Sequence, residues 1–313
     1  MSINSRGHKP VIKSKWRDGF TLVELLVVIS ITSVLMGILL PALGKVRREA
    51  KTLKGINNQR QIVFAVNFFA LDNDNRYPKS MATITIPETN RWHWQEPTMM
   101  TAVECNPEIS QHRAISAFLH SYIEDASTMF CPSAPRKYEY LQQAWDDGDD
   151  WNNPETSYPA DLVVGTYCFY WNYTGFVGDD EPPFRGPRNP AGGRRESKLL
   201  VSDYFGFGHW RNENAYDSTE AYGSCEKFNR AGITPGTPVS SAFWSLPKSG
   251  SNFSLDTLKI KLHAGYTDGH VESYSPLQVV QMEVSFTPDG TAPYPPWYRT
   301  NPGIFYLPRN GLR

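Results

Sequence analysis

The stretch that decides the fold is residues 17–43, which read RDGFTLVELLVVISITSVLMGILLPAL. The run from Phe20 to Leu43 contains a single ionisable side chain, that of Glu24. As a helix with a rise of about 1.5 Å per residue, this run is long enough to cross a hydrocarbon layer of about 30 Å. A secretory signal peptide has a shorter apolar core, and a buried core helix is rarely apolar for so long. The sequence therefore predicts a membrane anchor over residues 20–43.

Basic residues flank the apolar run on both sides. Five precede it, namely Arg6, Lys9, Lys13, Lys15 and Arg17, and five follow it, namely Lys45, Arg47, Arg48, Lys51 and Lys54. Short loops on the cytoplasmic side of a membrane usually carry the excess of Lys and Arg. Because the two flanks are balanced, this rule does not decide the orientation of the anchor.

A helical pattern continues beyond the apolar run. Apolar residues recur at spacings close to 3.6, in the series Leu43, Val46, Ala50, Leu53, Ile56, Val63, Val66 and Phe69 or Ala70. Arg60 interrupts this stripe, and the turn-forming sequence LDNDNRYP ends the pattern. We therefore expect one helix of about fifty residues that is apolar on all sides in its first half and amphipathic over 44–72.

Residues 73–313 differ in composition and predict a head domain. The chain has 16 Tyr, 16 Phe, 9 Trp, 23 Gly and 24 Pro, which is typical of a loop-rich globular body. Turn signals separate short β-prone runs at 162–174, 198–204, 258–262 and 270–274. Short helices are predicted at 115–123 and 277–282, and a loop at 179–193. The expected fold class is α+β, with the long helix packed on an antiparallel sheet.

The overall composition excludes some partners and leaves the state of the cysteines open. The net charge is −1, from 31 basic and 32 acidic residues, so the sequence indicates no nucleic-acid partner. The four cysteines are Cys105, Cys131, Cys168 and Cys225. They form no CxxC pair, which argues against a zinc ribbon or a thioredoxin-like site. One or two disulfides in an exported head and four buried thiols are both compatible with this spacing.

The junction between Gly19 and Phe20 resembles the leader of type IV prepilins and type II secretion pseudopilins. A basic leader ends in Gly, the next residue is aromatic, Glu24 occupies the fifth mature position, and Pro41 lies where pilin helices usually carry proline. The resemblance implies cleavage after Gly19 and methylation of the Phe20 amine by a prepilin peptidase and methyltransferase. It also implies that the carboxylate of Glu24 pairs with the N-terminal amine of a neighbouring subunit.

The same resemblance implies a location and partners. The chain would be a single-pass protein of the inner membrane, with its N-terminus inside and its head in the periplasm or on the cell surface. It would assemble with other pilin-like subunits through the N-terminal helix. The expected divisions are a leader at 1–19, a membrane span at 20–43, a helical continuation at 44–72 and a head at 73–313.

Elementary physical chemistry agrees with these roles. Gly19 has no side chain, so the leader can enter a protease groove in extended form. A charged side chain at the centre of the membrane costs about 2.5–3.5 kcal/mol on insertion scales, so Glu24 needs a partner or must reach the cytoplasmic interface. Pairing with a neighbour's amine fixes a register of one subunit, because a displaced neighbour leaves both charges unpaired. Pro41 lacks an N–H group and should loosen or kink the helix.

Weaker similarities to bacterial pilin-like proteins extend along the chain. They lie in INNQRQIVFAVNFFALDNDNRYP, MFCPSAP, SKLLVSDYF and HAGYTDGHVESY. The last segment resembles a processing-associated His-X9-Asp-Gly motif, except that only four residues separate His263 from Asp268. Asp268 and Gly269 are expected to form a tight hairpin turn, and this structural role is enough to explain the pair. We therefore expect no catalytic or metal-binding role for His263 or Asp268.

Other candidate sites are weaker still. Asp146–Asn153 offers four carboxylates and two amides, which can bind calcium, but the EF-hand spacing is absent and a solvated acidic loop is the expectation. The sequence contains no GxSxG, GxGxxG, P-loop or HExxH pattern. We therefore predict no enzyme, no cofactor and no metal site.

Two functions remain from different classes. The first is a structural subunit of a type II secretion pseudopilus or a type IV pilus-like fibre. The alternative is a surface binding module, displayed by the pilin-type signal, that recognises a glycan or another polymer through its aromatic-rich head. The segment RWHW at 91–94 is a candidate for stacking on sugars. A membrane-anchored hydrolase has the least support.

Overall fold

The computed structural model describes residues 20–86, 91–94, 97–103, 112–132, 140–151, 163, 165–175, 183–207, 261–283 and 304–312. The chain divides into two units, Met1–Glu49 and Ala50–Arg313. Helix α1, Leu22–Asp72, begins in the first unit and ends in the second. Its 51 residues confirm the predicted helix of about fifty residues.

The head contains short helices and many short strands. The helices are α2 (Ser116–Leu119) and α3 (Leu141–Asp147). The strands are β1 (Thr83–Ile86), β2 (Arg91–Trp94), β3 (Thr101–Val103), β4 (His112–Ala114), β5 (Tyr167–Phe169), β6 (Thr174–Gly175), β7 (Phe184–Arg185), β8 (Leu199–Asp203), β9 (Gly206–Phe207), β10 (Leu262–Tyr266), β11 (Val271–Tyr274), β12 (Val279–Glu283) and β13 (Ile304–Pro308). All the strand pairs described are antiparallel, so the predicted α+β class is confirmed.

The first half of α1 is apolar and exposed on every side. Its large apolar side chains, from Leu22 to Val46, are all nearly half exposed or more. The helix is long and apolar enough to cross a membrane, and its most apolar stretch buries nothing within the structure. Pro41 lies inside the helix, which continues on both sides of it. An apolar surface of this length is unfavourable in water, so this half of α1 needs lipid or protein around it.

The second half of α1 buries one face against the head. The buried residues are Gly55, Asn58, Gln59, Ile62, Val63, Ala65, Val66 and Ala70. Their spacing places them on one side of the helix, whereas Phe64 and Phe68 on another side remain about half exposed. Leu53, which belonged to the predicted stripe, is exposed, and the buried amides of Asn58 and Gln59 were not part of it.

The helix packs on a four-stranded sheet of order β11-β10-β8-β5. Every residue of the two central strands, β8 and β10, is buried. Gly265 of β10 allows the close approach, because a Cβ at this position would lie 2.8 Å from Val63 Cγ2 and 2.9 Å from Val201 Cγ1. Aromatic side chains also cover the sheet, and the hydroxyl of Tyr170 lies 3.1 Å from Ser202 Oγ of β8. Aromatic side chains therefore fill much of the core of the head.

A second sheet shows that the helix predicted at 277–282 is wrong. Strand β12 pairs with β13, and β13 pairs with β9. Only Pro276–Gln278 is helical, as one 3-10 turn with a capping box between Ser275 and Gln278. This capping box therefore opens only a single turn. Val279 and Val280 favour a strand, and pairing with the distant β13 decides the outcome.

The other predicted elements agree with the structure to different degrees. Strands β8 and β11 confirm the predictions at 198–204 and 270–274. The strand predicted at 258–262 was placed too early, since β10 is Leu262–Tyr266; residues 258–260 lie outside the described residues. The run 162–174 contains β5 and the start of β6, and the stretch predicted as a loop at 179–193 contains the two-residue strand β7.

One helix prediction and one loop prediction in the head need correction. The helix predicted at 115–123 is confirmed in position but shorter, as α2. The acidic stretch from Asp146 is not simply a loop, because α3 ends at Asp147 and Gly148–Asp150 continues as a 3-10 turn.

A head fragment that begins at Gly44 should be more stable than one that begins at Asn73. Ile62, Val63 and Val66 are fully buried, and burial of each such side chain stabilises a fold by about 1.5–3 kcal/mol. The shorter fragment should lose several kcal/mol and should self-associate through the uncovered sheet. Urea melts and sedimentation of both fragments measure this. Leu53→Ala in the longer fragment is the control and should change little, and equal stability of the two fragments would show that the helix does not stabilise the head.

Candidate functional site

Thr21 and Glu24 form a reciprocal cap at the start of α1. The Thr21 N–H donates to Glu24 Oε2 at 2.9 Å, and the Thr21 hydroxyl donates to the same oxygen at 2.7 Å. In return, the Glu24 N–H donates to Thr21 Oγ1 at 3.3 Å. This arrangement is a capping box, and the T-x-x-E signature at 21–24 is the sequence signal that predicts it. The cap satisfies backbone donors that a helix start otherwise leaves unpaired.

The cap uses only one of the two carboxylate oxygens of Glu24. Both bonds from Thr21 end on Oε2, and within the described part of the chain Glu24 Oε1 accepts no hydrogen bond. Phe20, which precedes the helix, is 73% exposed. Gly19 lies outside the described residues, and Pro41 is an exposed residue inside α1. Phe20 thus lies just before α1 and Glu24 lies in its first turn, where Glu24 Oε1 is available to a further donor.

Amide side chains in the second half of α1 anchor loops of the head. Asn58 Nδ2 donates to the carbonyl oxygen of Phe130 at 3.0 Å. Asn67 Nδ2 donates to the carbonyl oxygen of Thr267 at 3.1 Å, and Asn67 Oδ1 accepts from the Tyr77 hydroxyl at 2.7 Å. Each amide satisfies a carbonyl of a loop, so the helix holds both loops in place as well as the sheet.

A buried carboxylate joins α1 to the two central strands. Asp203 Oδ1 accepts from Gln59 Nε2 at 2.9 Å, and Asp203 Oδ2 lies 2.8 Å from the His263 N–H and 2.9 Å from His263 Nδ1. Gln59 Nε2 also donates to the carbonyl oxygen of His263 at 3.3 Å. Gln59, Asp203 and His263 are 0%, 3% and 5% exposed. Three donors from two elements thus fix one carboxylate where α1 crosses β8 and β10.

This network gives His263 a structural role. An imidazole beside a carboxylate is part of many catalytic sites, but here Asp203 and His263 are only 3% and 5% exposed and are packed in the core. His263 is bonded to Asp203, whereas Asp268 is bonded to His270 in the exposed turn between β10 and β11. The structure therefore does not bring His263 and Asp268 together as one site. Asp203, the partner that the motif spacing did not reveal, lies in the segment SKLLVSDYF.

The Asp-Gly turn is confirmed as a tight hairpin turn. Gly269 has φ +91°, and its N–H donates to the carbonyl oxygen of Tyr266 at 2.9 Å. His270 Nδ1 lies 2.5 Å from Asp268 Oδ1. Partial burial opposes ionisation of Asp268, but the hydrogen bonds from His270 outweigh it and lower the pKa of this carboxyl group. A Cβ at Gly269 would lie 3.3 Å from Phe64, so the turn also contacts α1.

The acidic stretch at the end of α3 serves local structure. Asp149 Oδ1 accepts the backbone N–H of Ala114 at 2.7 Å. Asp146 Oδ1 accepts from Gln142 Nε2 at 2.9 Å and lies 3.2 Å from His120 Nε2. Among the described residues, no three His, Cys, Asp or Glu side chains are placed to hold a metal ion. Asn152 and Asn153, the amides of the calcium hypothesis, lie outside them.

Two of the four cysteines and the neighbouring Tyr167 are buried in the core. Cys131 and Cys168 are buried thiols without a disulfide, whereas Cys105 and Cys225 lie outside the described residues. Burial, reinforced by Cys131 and Asp203, raises the pKa of Tyr167 well above its usual value.

The tryptophans of the core are equally inaccessible. Trp145, Trp151 and Trp171 are fully buried and offer no surface for stacking on a ligand. The side chains of Trp92 and Trp94, in the proposed sugar-stacking segment, are outside the described side chains.

Comparison with protein families identifies the segment that carries the cap. Residues 17–40 match the prokaryotic N-terminal methylation motif. The match confirms the resemblance of this segment to a type IV prepilin signal. Together with the exposed apolar half of α1, it supports a membrane-anchored, pilin-like protein with a structural role. Comparison of the whole chain with curated proteins and with solved structures gives no match.

Replacement of Asp203 by Asn should destabilise the head, because the amide is uncharged and has an NH2 group, which cannot accept a hydrogen bond, in place of one carboxylate oxygen. Hydrogen bonds to charged groups contribute about 1.5–3 kcal/mol, so the free energy of unfolding should fall by about 2–4 kcal/mol. Urea denaturation of the fragment from Gly44 measures the change. Asp147→Asn, in the exposed end of α3, is the control and should stay within about 0.5 kcal/mol. If the two variants are equally stable, the buried network does not hold the helix.

Proposed function

We propose that this protein is a structural subunit of a type II secretion pseudopilus or a type IV pilus-like fibre. The observation that carries the proposal is the methylation motif at 17–40, placed at the start of an apolar helix that nothing in the described chain covers. In this proposal a prepilin peptidase cuts after Gly19 and methylates the amine of Phe20. The leader is 1–19, the membrane span 20–43, the helical continuation 44–72 and the head 73–313.

Cleavage creates the donor that the cap of α1 leaves room for. Removal of residues 1–19 places a positively charged amine on Phe20, directly before Thr21. The amine of one subunit can then approach Glu24 Oε1 of the next, while Oε2 keeps its bonds to Thr21. Glu24 would thus keep its helix cap and gain an ion pair in a low-dielectric environment.

This ion pair sets the axial position of a subunit in the fibre. The apolar side chains of 20–43 pack favourably in many registers, because dispersion and burial are not directional. Glu24 is the one ionisable group in that segment, so a wrong register leaves both a carboxylate and an amine without partners. Glu24 and the Phe20 amine therefore specify the register, and Pro41 provides a local adjustment of the helix within the packed bundle.

The head should move together with α1, because the second half of α1 is part of the core of the head. Gln59 is bonded to Asp203 and to the backbone of His263, and Ile62, Val63 and Val66 are fully buried. A subunit moved by its N-terminal half therefore carries a folded head with it. In the proposed orientation the N-terminus is cytoplasmic, the span lies in the inner membrane, and the head is periplasmic or on the cell surface.

Glu24→Ala tests the proposal. The substitution removes a charge from the span, so membrane insertion should remain intact, whereas incorporation into sheared fibres should be abolished. Glu49→Ala is the matched control, since Glu49 is an exposed carboxylate of the same helix beyond the span, 3.9 Å from Lys45. Membrane fractionation and immunodetection in the fibre fraction give both readouts. Normal incorporation of Glu24→Ala would contradict the proposed role.

A further inference from the structure

A short basic segment of α1 lies between the apolar run and the head. We call residues 44–54 the neck. Its basic side chains are all exposed, and they are Lys45, Arg47, Arg48, Lys51 and Lys54. Glu49 is its one acidic residue, so the neck carries four net positive charges from five basic residues and one acidic residue. Because the whole chain has a net charge of −1, this concentration of positive charge is local.

The position of the neck on α1 places it at the lipid headgroups of a bilayer that α1 spans. The apolar run is about 36 Å long, so a bilayer with about 30 Å of hydrocarbon and about 5–8 Å of headgroups on each side places the neck at the headgroups. Lys45 and Arg47 lie about 3 and 6 Å beyond Leu43, within that layer. Lys51 lies about 12 Å beyond Leu43, still within a Debye length of about 8 Å from the headgroups.

The buried part of α1 begins after the neck. The first residue of α1 that the head buries is Gly55, directly after the neck. Within the neck, Arg47, Lys51 and Lys54 follow each other at spacings of four and three residues and lie on one side of the helix. Their apolar stems can lie along the helix while the charged ends reach towards phosphate groups, which guanidinium ions bind with two parallel hydrogen bonds.

We propose that the neck binds the anionic headgroups of the membrane leaflet from which α1 emerges. This inference rests on the proposed function only in that α1 spans a bilayer. Binding of the headgroups holds the unassembled subunit at a fixed height in the membrane, and incorporation into a fibre must break these contacts. An acidic stretch of a second copy is the other candidate partner, but Asp146 and Asp149 already accept hydrogen bonds within their own chain.

The experiment uses the full chain reconstituted in vesicles of phosphatidylcholine and phosphatidylglycerol. Electron paramagnetic resonance measures how strongly spin-labelled phosphatidylglycerol is preferred over spin-labelled phosphatidylcholine at the protein surface. Arg47→Gln should lower this preference by up to about fivefold, and Arg47→Gln with Lys51→Gln should lower it further. Arg60→Gln is the matched control, because Arg60 is exposed on the same helix but lies about 25 Å beyond Leu43. The basic leader is present in every sample and cancels in the comparison.

Four results would overturn the inference. Equal lipid preference in the wild type, Arg47→Gln and Arg60→Gln would show that the neck does not select anionic lipid. Loss of the preference when phosphate replaces chloride at equal ionic strength would indicate a site for free phosphate. If Arg47→Gln reduced cross-linking between chains in pure phosphatidylcholine, relative to the wild type, but left the lipid preference unchanged, the neck would be assigned to contact with a second copy. Failure of the chain to float with vesicles would refute the span itself and with it the proposed function, whereas the other results leave that function standing.

Discussion

The two halves of α1 need different environments, although they form one continuous helix. Its first half presents apolar side chains in every direction, and its second half buries one face from Gly55 to Ala70 in a folded head. A helix can do both because it satisfies its backbone hydrogen bonds internally and is therefore equally suited to lipid and to a protein core. The arrangement of the head follows from this requirement, since Gly265, the Asp-Gly turn and the two central strands all contact or face the helix.

Polar groups determine where on the sheet the helix lies. An apolar face alone can shift along a sheet at small cost, because its contacts are not directional. Gln59, Asp203 and His263 permit one position only, since any shift leaves a buried carboxylate and buried donors unpaired. The cap at Thr21 and Glu24 applies the same principle at the other end of the helix, where one carboxylate oxygen is fixed and the second is available to a partner.

Much of this arrangement could be predicted from the sequence, for reasons that lie in particular residues. The apolar run, its continuation at helical spacing and the stop after Leu71 predicted α1, and the Asp268-Gly269 pair predicted the hairpin turn. These signals are local. The position of α1 on the sheet could not be predicted, because Gln59, Asp203 and His263 are far apart in sequence. In addition, a polar residue such as Gln59 in the apolar stripe of a helix usually indicates an exposed side chain. Strand β12 was missed for a related reason, since its partner β13 follows only after residue 303.

The central claim is that the chain is matured as a prepilin, and the most direct test is the mass of its mature N-terminus. The protein would be extracted from membranes of cells with an active prepilin peptidase and from cells that lack it, and its N-terminal peptide would be sequenced by mass spectrometry. The account predicts a chain that begins with N-methylated Phe20 in the first sample and an uncleaved leader in the second. An uncleaved leader in both samples, or a chain that begins near Ala42 after conventional signal cleavage, would contradict it.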